Sequence, residues 1–253
     1  MKIKNTLLYG RSISHIGSLE DRKILLMIGR SDFTKGSVPL QTISLLLSLQ
    51  DHTLLWYGTE IPSKSSYFKK IVKFLIPGLY LQKIIRNLLS AVLLIPYPSR
   101  WNYIWANTYP IVQNNGLNTL YHALNETKKL RQFIQCLGQD KEIIIVSHSS
   151  GGRISSSIAN LPTIKKLVCF GYPFKHPTEP EDVTRTLHLE EIQTPFLIIQ
   201  GKEDEYGGTD IDKHYNLSSS VTLLYVNTDH DFNHITDEEW MRIATRINKF
   251  LVE

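Results

Sequence analysis

The stretch at residues 141–154, Lys-Glu-Ile-Ile-Ile-Val-Ser-His-Ser-Ser-Gly-Gly-Arg-Ile, narrows the possible folds more than any other part of the chain. Ile143–Val146 is an unbroken run of β-branched apolar residues. A run without polar alternation predicts a strand buried on both faces, as in the middle of a parallel sheet. Small residues follow at once: Ser147, Ser149, Ser150, Gly151 and Gly152. Arg153–Asn160 can then continue as a helix. Buried strand, turn without bulk, then helix is the pattern of a nucleophile elbow.

In such a turn one residue occupies a strained backbone position, and its side chain projects above the sheet. The residues two before and two after it must be small, or they collide with strand and helix. Centring the pattern on Ser149 puts Ser147 and Gly151 at those places. Ser147 stands where the usual Gly-x-Ser-x-Gly pattern has its first glycine. A serine at a helix start can also cap the helix rather than react, and six serines lie between 147 and 157. His148 is read as structural, with its ring directed away from the Ser149 hydroxyl.

The 253 residues suit one α/β domain with a sizeable core, and 42% hydrophobic with 21% charged residues is ordinary for a globular protein. Cys136 and Cys169 suggest reduced, buried thiols rather than a disulfide framework. The apolar run Leu7-Leu8-Tyr9 is too short for a signal peptide, and no uncharged run is long enough to span a bilayer. A cytoplasmic location is the resulting expectation. No Cys/His spacing suggests zinc and no phosphate-cradling loop is present, so no cofactor or metal is expected.

Taken in order, residues 5–10 and the neighbourhood of His15–Leu19 read as two antiparallel edge strands. Lys23–Gly29 is a strand, followed by the polar loop Arg30–Ser37, a helix over Val38–Leu49, and a strand over Thr53–Tyr57 closed by Gly58. Alternation of strand, helix and strand implies a parallel sheet with right-handed crossovers. Leu117–Leu137 is a helix with Leu120, Ala123, Leu124, Leu130, Phe133, Ile134 and Leu137 on its apolar side and Gly138 at its end. Strands are predicted at Leu167–Gly171, Pro195–Gly201 and Val221–Val226, with residues 172–190 a polar, proline-bearing connection. Thr236-Asp237-Glu238-Glu239 is a capping box opening a helix that runs to about Leu251.

Residues 61–112 differ from the rest. Residues 61–125 hold no Asp or Glu but seven bases, Lys64, Lys69, Lys70, Lys73, Lys83, Arg86 and Arg100. With a net charge of +4 overall, the remainder carries −3 (four minus seven). Two apolar helical runs, Tyr67–Ile76 and Leu79–Ile95, end at Pro77-Gly78 and Pro96. The segment stands apart in composition from 1–60 and 113–253. It fits three uses: lining an apolar pocket, touching an anionic membrane surface through 61–100, or packing against a second copy or the core. Its aliphatic density argues against nucleic acid as a partner.

Ser147-His148-Ser149-Ser150-Gly151-Gly152 resembles the elbow of the α/β-hydrolase superfamily, nearest its dienelactone-hydrolase-like branch, which includes the testis-expressed α/β-hydrolase-like proteins. Gly171-Tyr172-Pro173-Phe174, Pro195–Asp204 (PFLIIQGKED) and Asp229-His230-Asp231-Phe232 extend the likeness, which covers about 20–60 and 115–253. It implies an α/β-hydrolase fold with a mostly parallel central sheet flanked by helices, 61–112 being an inserted helical cap or lid on a core formed by 1–60 and 113–253, and a triad in the order Ser, acid, His on loops after successive strands.

Ser149, Asp204 and His230 fit that order. Glu203, Glu205, Asp210 and Asp212 lie near Asp204, which family spacing selects; His234 is the rival of His230. Asp229 and Asp231 would favour the charged form of His230 if they pointed toward it. The oxyanion donors implied are the amides of Ser150 and Arg30. The expected activity is cleavage of a carboxylic ester or thioester with an apolar acyl group, the partner being a small-molecule acyl ester. A non-catalytic scaffold that binds protein or membrane through the insertion, and an acyltransferase on the same triad, stay open. The sequence leaves the oligomeric state open.

Overall fold

The computed structural model describes residues 3–8, 11–29, 51–58, 116–179, 181–233 and 235–253. The expected helix over Val38–Leu49, the cap over 61–112, Arg30 and His234 lie outside the described residues. The chain divides into two compact units, Met1–Thr59 with Leu124–Glu253, and Glu60–Ala123. The sheet belongs to the first; of the second, only the opening turns of one helix are described.

Among the described residues, eight strands form one sheet: β1 (Lys4–Leu8), β2 (Arg11–Ile16), β3 (Lys23–Gly29), β4 (Thr53–Gly58), β5 (Glu142–His148), β6 (Ile164–Phe170), β7 (Phe196–Gly201) and β8 (Val221–Val226). Their order is β1-β2-β4-β3-β5-β6-β7-β8. β2 runs antiparallel to both its neighbours, and every other pairing is parallel. The sheet is mostly parallel and flanked by helices, as expected. The β1–β2 hairpin was expected, but β2 begins at Arg11 rather than near His15. Its polar alternation, Arg-Ser-Ile-Ser-His, hides the strand from a search for apolar runs.

The central strands are buried on both faces, and successive side chains divide between two cores. Ile24, Leu26, Ile28, Ile143, Ile145, Leu167, Cys169 and Ile198 face one side. There they meet Leu130, Phe133 and Ile134 of α1 (Gly116–Leu137) and Ile154 of α2 (Ser150–Ser156). Leu25, Met27, Val146, Val168, Leu197 and Ile199 face the other and meet Ile243, Ile247 and Phe250 of the C-terminal helix. Fully burying each such side chain contributes about 1.5–3 kcal/mol, which is why these segments appear as plain apolar runs.

α2 is shorter than the expected Arg153–Asn160 run. The hydroxyls of Ser155, Ser156 and Ser157 donate to the carbonyls of Gly152, Arg153 and Arg153, a competition with the backbone that disfavours continued helix. The connection after β6 contains two 3-10 turns, Val183–Arg185 and Leu187–Glu190. Arg153 and Arg185 each approach Asp182 Oδ2 at 3.7 Å and tie this connection to α2. A single helical turn, α3 (Ile211–His214), went unforeseen. α4 (Asp237–Val252) opens on Thr236, whose hydroxyl accepts from the Glu239 amide at 3.3 Å. Among the described residues, no helix is long and apolar enough to cross a membrane. Cys169 is buried as expected, whereas Cys136 is exposed.

Candidate active site

β5, β6, β7 and β8 are parallel, so their C-terminal ends lie along one edge of the sheet. Ser149 directly follows β5 with φ 53° and ψ −123°, a left-handed conformation that costs a side-chain-bearing residue about 1–3 kcal/mol. It precedes α2 as N-cap, yet its side chain makes no capping bond. Its amide donates to Phe170 O at 3.0 Å, and its carbonyl accepts from the Gly152 amide at 2.9 Å.

The small residues around Ser149 are required by close approach. A Cβ on Gly151 would lie 2.7 Å from Ile28 O. One on Gly152 would overlap Cys169 Sγ and lie 3.0 Å from the Tyr172 ring. Ser147 fits because its hydroxyl, buried at the end of β5, donates to Val168 O at 3.2 Å.

The structure brings Ser149, His230 and Asp204 together. His230 Nδ1 lies 2.9 Å from Asp204 Oδ2, and Nε2 lies 2.8 Å from Ser149 Oγ. A carboxylate only accepts, so Nδ1 carries the proton and donates, and Nε2 accepts from the serine hydroxyl. Asp204 is separated from its rivals by burial: its side chain is fully buried, whereas Glu203, Glu205, Asp210 and Asp212 are exposed. Asp210 pairs with Lys213 at 2.6 Å.

The Asp204 carboxylate also accepts from the Tyr206 amide on Oδ1 at 2.7 Å and from Gln200 Nε2 on Oδ2 at 2.6 Å. Neither contact was anticipated from the sequence. The available signal was Gln200 itself, a polar residue closing the apolar run Phe196–Ile199.

The base loop follows β8 and is gripped by side chains. His148 Nε2 donates to the His230 carbonyl at 2.9 Å. Burial pushes the His148 imidazole below its ordinary value, keeping it neutral with one N–H for that bond. Its ring points to the base loop rather than the Ser149 hydroxyl, in keeping with a structural part. Phe232, at φ 59°, packs edge-on against Phe170 with ring centroids 5.3 Å apart. Asp229 accepts from the amide and side chain of Asn233 at 2.8 and 3.0 Å, so its carboxylate serves the loop. The Tyr206 ring lies 4.4 Å from the imidazole, centroid to centroid.

Gly171, at φ 56°, directly follows β6, which lies between the strands that precede Ser149 and Asp204. A Cβ there would stand 3.1 Å from His230 Nδ1 and 3.3 Å from Asp204 Oδ2. Its absence lets Asp204 and His230 close over the end of β6.

Ser150 opens α2, so its amide lies in a first turn that has no intrahelical acceptor. Arg30, the other expected donor, is outside the described residues. Among the described residues, no group of three or more His, Cys, Asp or Glu is placed to hold a metal ion.

A family model for the alpha/beta hydrolase domain matches residues 118–251. The chain belongs to this α/β-hydrolase family, and its class is that of the hydrolases. Among solved structures it is similar to a thioesterase domain from the curacin biosynthetic pathway, with 13% identity over 98% of each chain and a TM-score of 0.54. It is also similar to a serine hydrolase involved in carbazole degradation, with 12% identity over 99% of this chain and 98% of that one and a TM-score of 0.54. An α/β serine hydrolase homologue from Coxiella burnetii shares 13% identity over 97% of this chain and 95% of that one, with a TM-score of 0.53. At these identities the likeness establishes the fold. No curated protein sequence matches the chain.

Proposed function

We propose that the protein is a serine hydrolase that cleaves a carboxylic ester or thioester through an acyl-enzyme. The observation that carries the reading is the hydrogen-bonded chain Ser149–His230–Asp204, with spacings of 2.8 and 2.9 Å. A serine hydroxyl is a weak nucleophile at neutral pH and needs a base within such reach, itself oriented by an acid.

Ser149 Oγ attacks the acyl carbonyl as His230 Nε2 takes the hydroxyl proton. The tetrahedral oxyanion is met by the Ser150 amide and, from sequence position, by the Arg30 amide. Collapse breaks the bond to the leaving alkoxide or thiolate, which receives the proton from Nε2. A water then attacks the acyl-enzyme, gives its proton to Nε2, and Ser149 Oγ departs protonated. Asp204 holds the Nδ1–H tautomer throughout and stabilises the imidazolium.

The apolar, basic composition of residues 61–112 supports an acyl group of medium or long chain as substrate. The thioesterase and serine hydrolases with this fold are in keeping with acyl transfer to water. The elbow and the stretches Pro195–Asp204 and Asp229–Phe232 support placement beside the dienelactone-hydrolase-like branch.

A fluorophosphonate probe on wild type and Ser149→Ala, followed by p-nitrophenyl esters of increasing chain length, tests the reading. Labelling and turnover present in wild type and lost in the variant are expected, with an optimum beyond acetate. A folded wild type that neither takes the probe nor turns over any ester sinks it.

A further inference from the structure

We infer that Gln200 is a positioning residue: its amide fixes the Asp204 oxygen that receives His230 and moderates the charge that oxygen presents to the imidazole. The inference rests on the hydrolase reading above.

Gln200 is the penultimate residue of β7, opposite Tyr225 of β8 and four residues before Asp204. It is 0% exposed. Its Nε2 donates to Asp204 Oδ2 at 2.6 Å, on the same oxygen that accepts His230 Nδ1 at 2.9 Å. The Tyr206 amide holds the other oxygen at 2.7 Å. Bonds on both oxygens oppose rotation of the carboxylate about Cβ–Cγ. The backbone amide alone would leave Oδ2 free to tilt away from the imidazole.

The other end of the Gln200 side chain argues for a functional role. Oε1 is buried without a hydrogen-bond partner among the described residues. A buried polar atom left unpaired is a standing cost that a methionine or leucine of similar size would avoid. Such a cost is tolerated where the donor half of the amide is needed. A residue serving only to fill β7 would not need that donor.

Sharing one oxygen has a direction. Each donor draws negative charge from Oδ2, so removing the Gln200 amide leaves more charge facing His230. The imidazole then holds its proton to higher pH and is a free base over a narrower range. The groups facing the imidazole are Asp204, His148 with ring centroid 5.3 Å away, Tyr206 at 4.4 Å and the Ser149 hydroxyl, with Asp229 and Asp231 adjoining it in the chain. Of these, Asp204 is the one to which Gln200 is hydrogen-bonded, so replacing residue 200 acts on the imidazole through that carboxylate.

The test compares wild type, Gln200→Met and Gln200→Glu in fluorophosphonate labelling, Tm and the pH profile of kcat/KM on p-nitrophenyl butyrate. Gln200→Met should keep or raise Tm, lose about tenfold in kcat/KM, and move its acid limb up by about half a pH unit. Gln200→Glu should be active only between the acid limb and the pH at which its own carboxyl ionises, because the protonated carboxyl donates to Asp204 and the ionised one repels it.

A stable Gln200→Met with wild-type rate and profile overturns the proposal, as does one that melts early with an unshifted profile. If Gln200→Met does not fold, Gln200→Glu decides, and a profile matching wild type overturns the proposal. Wild type that is labelled and active while these variants show no shift sinks the Gln200 inference alone. Unlabelled, inactive wild type sinks the hydrolase reading and this inference with it.

Discussion

The turn at Ser149 and the loop that carries His230 hold adjoining side chains by opposite means. Around Ser149, atoms are missing: Gly151 and Gly152 leave room for Ile28 O, Cys169 Sγ and Tyr172. Around His230, atoms are added: His148 grips its carbonyl, Phe232 plugs into the core against Phe170, and Asp229 ties down Asn233. Both stretches contain a non-glycine residue at positive φ, Ser149 at 53° and Phe232 at 59°. In the first, strain directs the hydroxyl that meets His230; in the second, it directs an anchor.

Adding a carbon should therefore break the turn, and removing atoms should break the loop. The largest effect belongs to Ser149→Ala, which should lose about 10⁴-fold or more in kcat with little change in Tm. Ester turnover and thermal unfolding check both halves.

Gly171→Ala comes next and sharpens the contrast, because Gly171 serves the loop in the manner of the turn. Its new Cβ would press on His230 Nδ1 and Asp204 Oδ2 from a left-handed backbone. Misplacement of that kind is expected to lower kcat/KM about 10²-fold. A fully active Gly171→Ala would show that acid and base do not need this closeness.

Phe232→Ala tests the loop by removal. Emptying a buried phenylalanine site is expected to cost about 3–5 kcal/mol in denaturant unfolding. The base should also wander, so activity should fall even where the protein stays folded. Unchanged stability would break the distinction drawn above.

The smallest effect concerns His148. Burial depresses its imidazole below the ordinary 6.5, so the unfolded chain binds a proton there more readily than the folded one. Its contribution to stability is complete above 6.5 and is lost as pH falls below that value. His148→Gln, whose amide can still donate to the His230 carbonyl, should flatten this acid slope. Unfolding free energies at successive pH values measure it.

The same contrast explains what the sequence made legible. Strands β3 to β7 appear as apolar runs because both faces are largely buried, and β8, half-buried at the sheet edge, because its side chains pack against the two cores. The turn appears as a cluster of small residues because its constraint is local. The grips on the base loop are invisible in that sense: His148 reaches His230 across 82 positions of sequence, and no local pattern records the pairing. Gln200 is an intermediate case, conspicuous as a polar residue in an apolar strand, with a partner that only the fold reveals. The shortness of α2 was equally hidden, since Ser155, Ser156 and Ser157 can sit in a helix or bond back to its carbonyls.

The packing of Gly152 against Cys169 also supplies a clock. Cys169 is buried, and the loss of solvation pushes its thiol up to about 12, while Cys136 is exposed. An alkylating reagent at neutral pH will take Cys136 first and reach Cys169 only when the helix behind Ser149 lifts from β6. Peptide mass analysis of the second alkylation therefore times the spontaneous opening of the turn at Ser149 in unmodified protein, without a substrate or an introduced label.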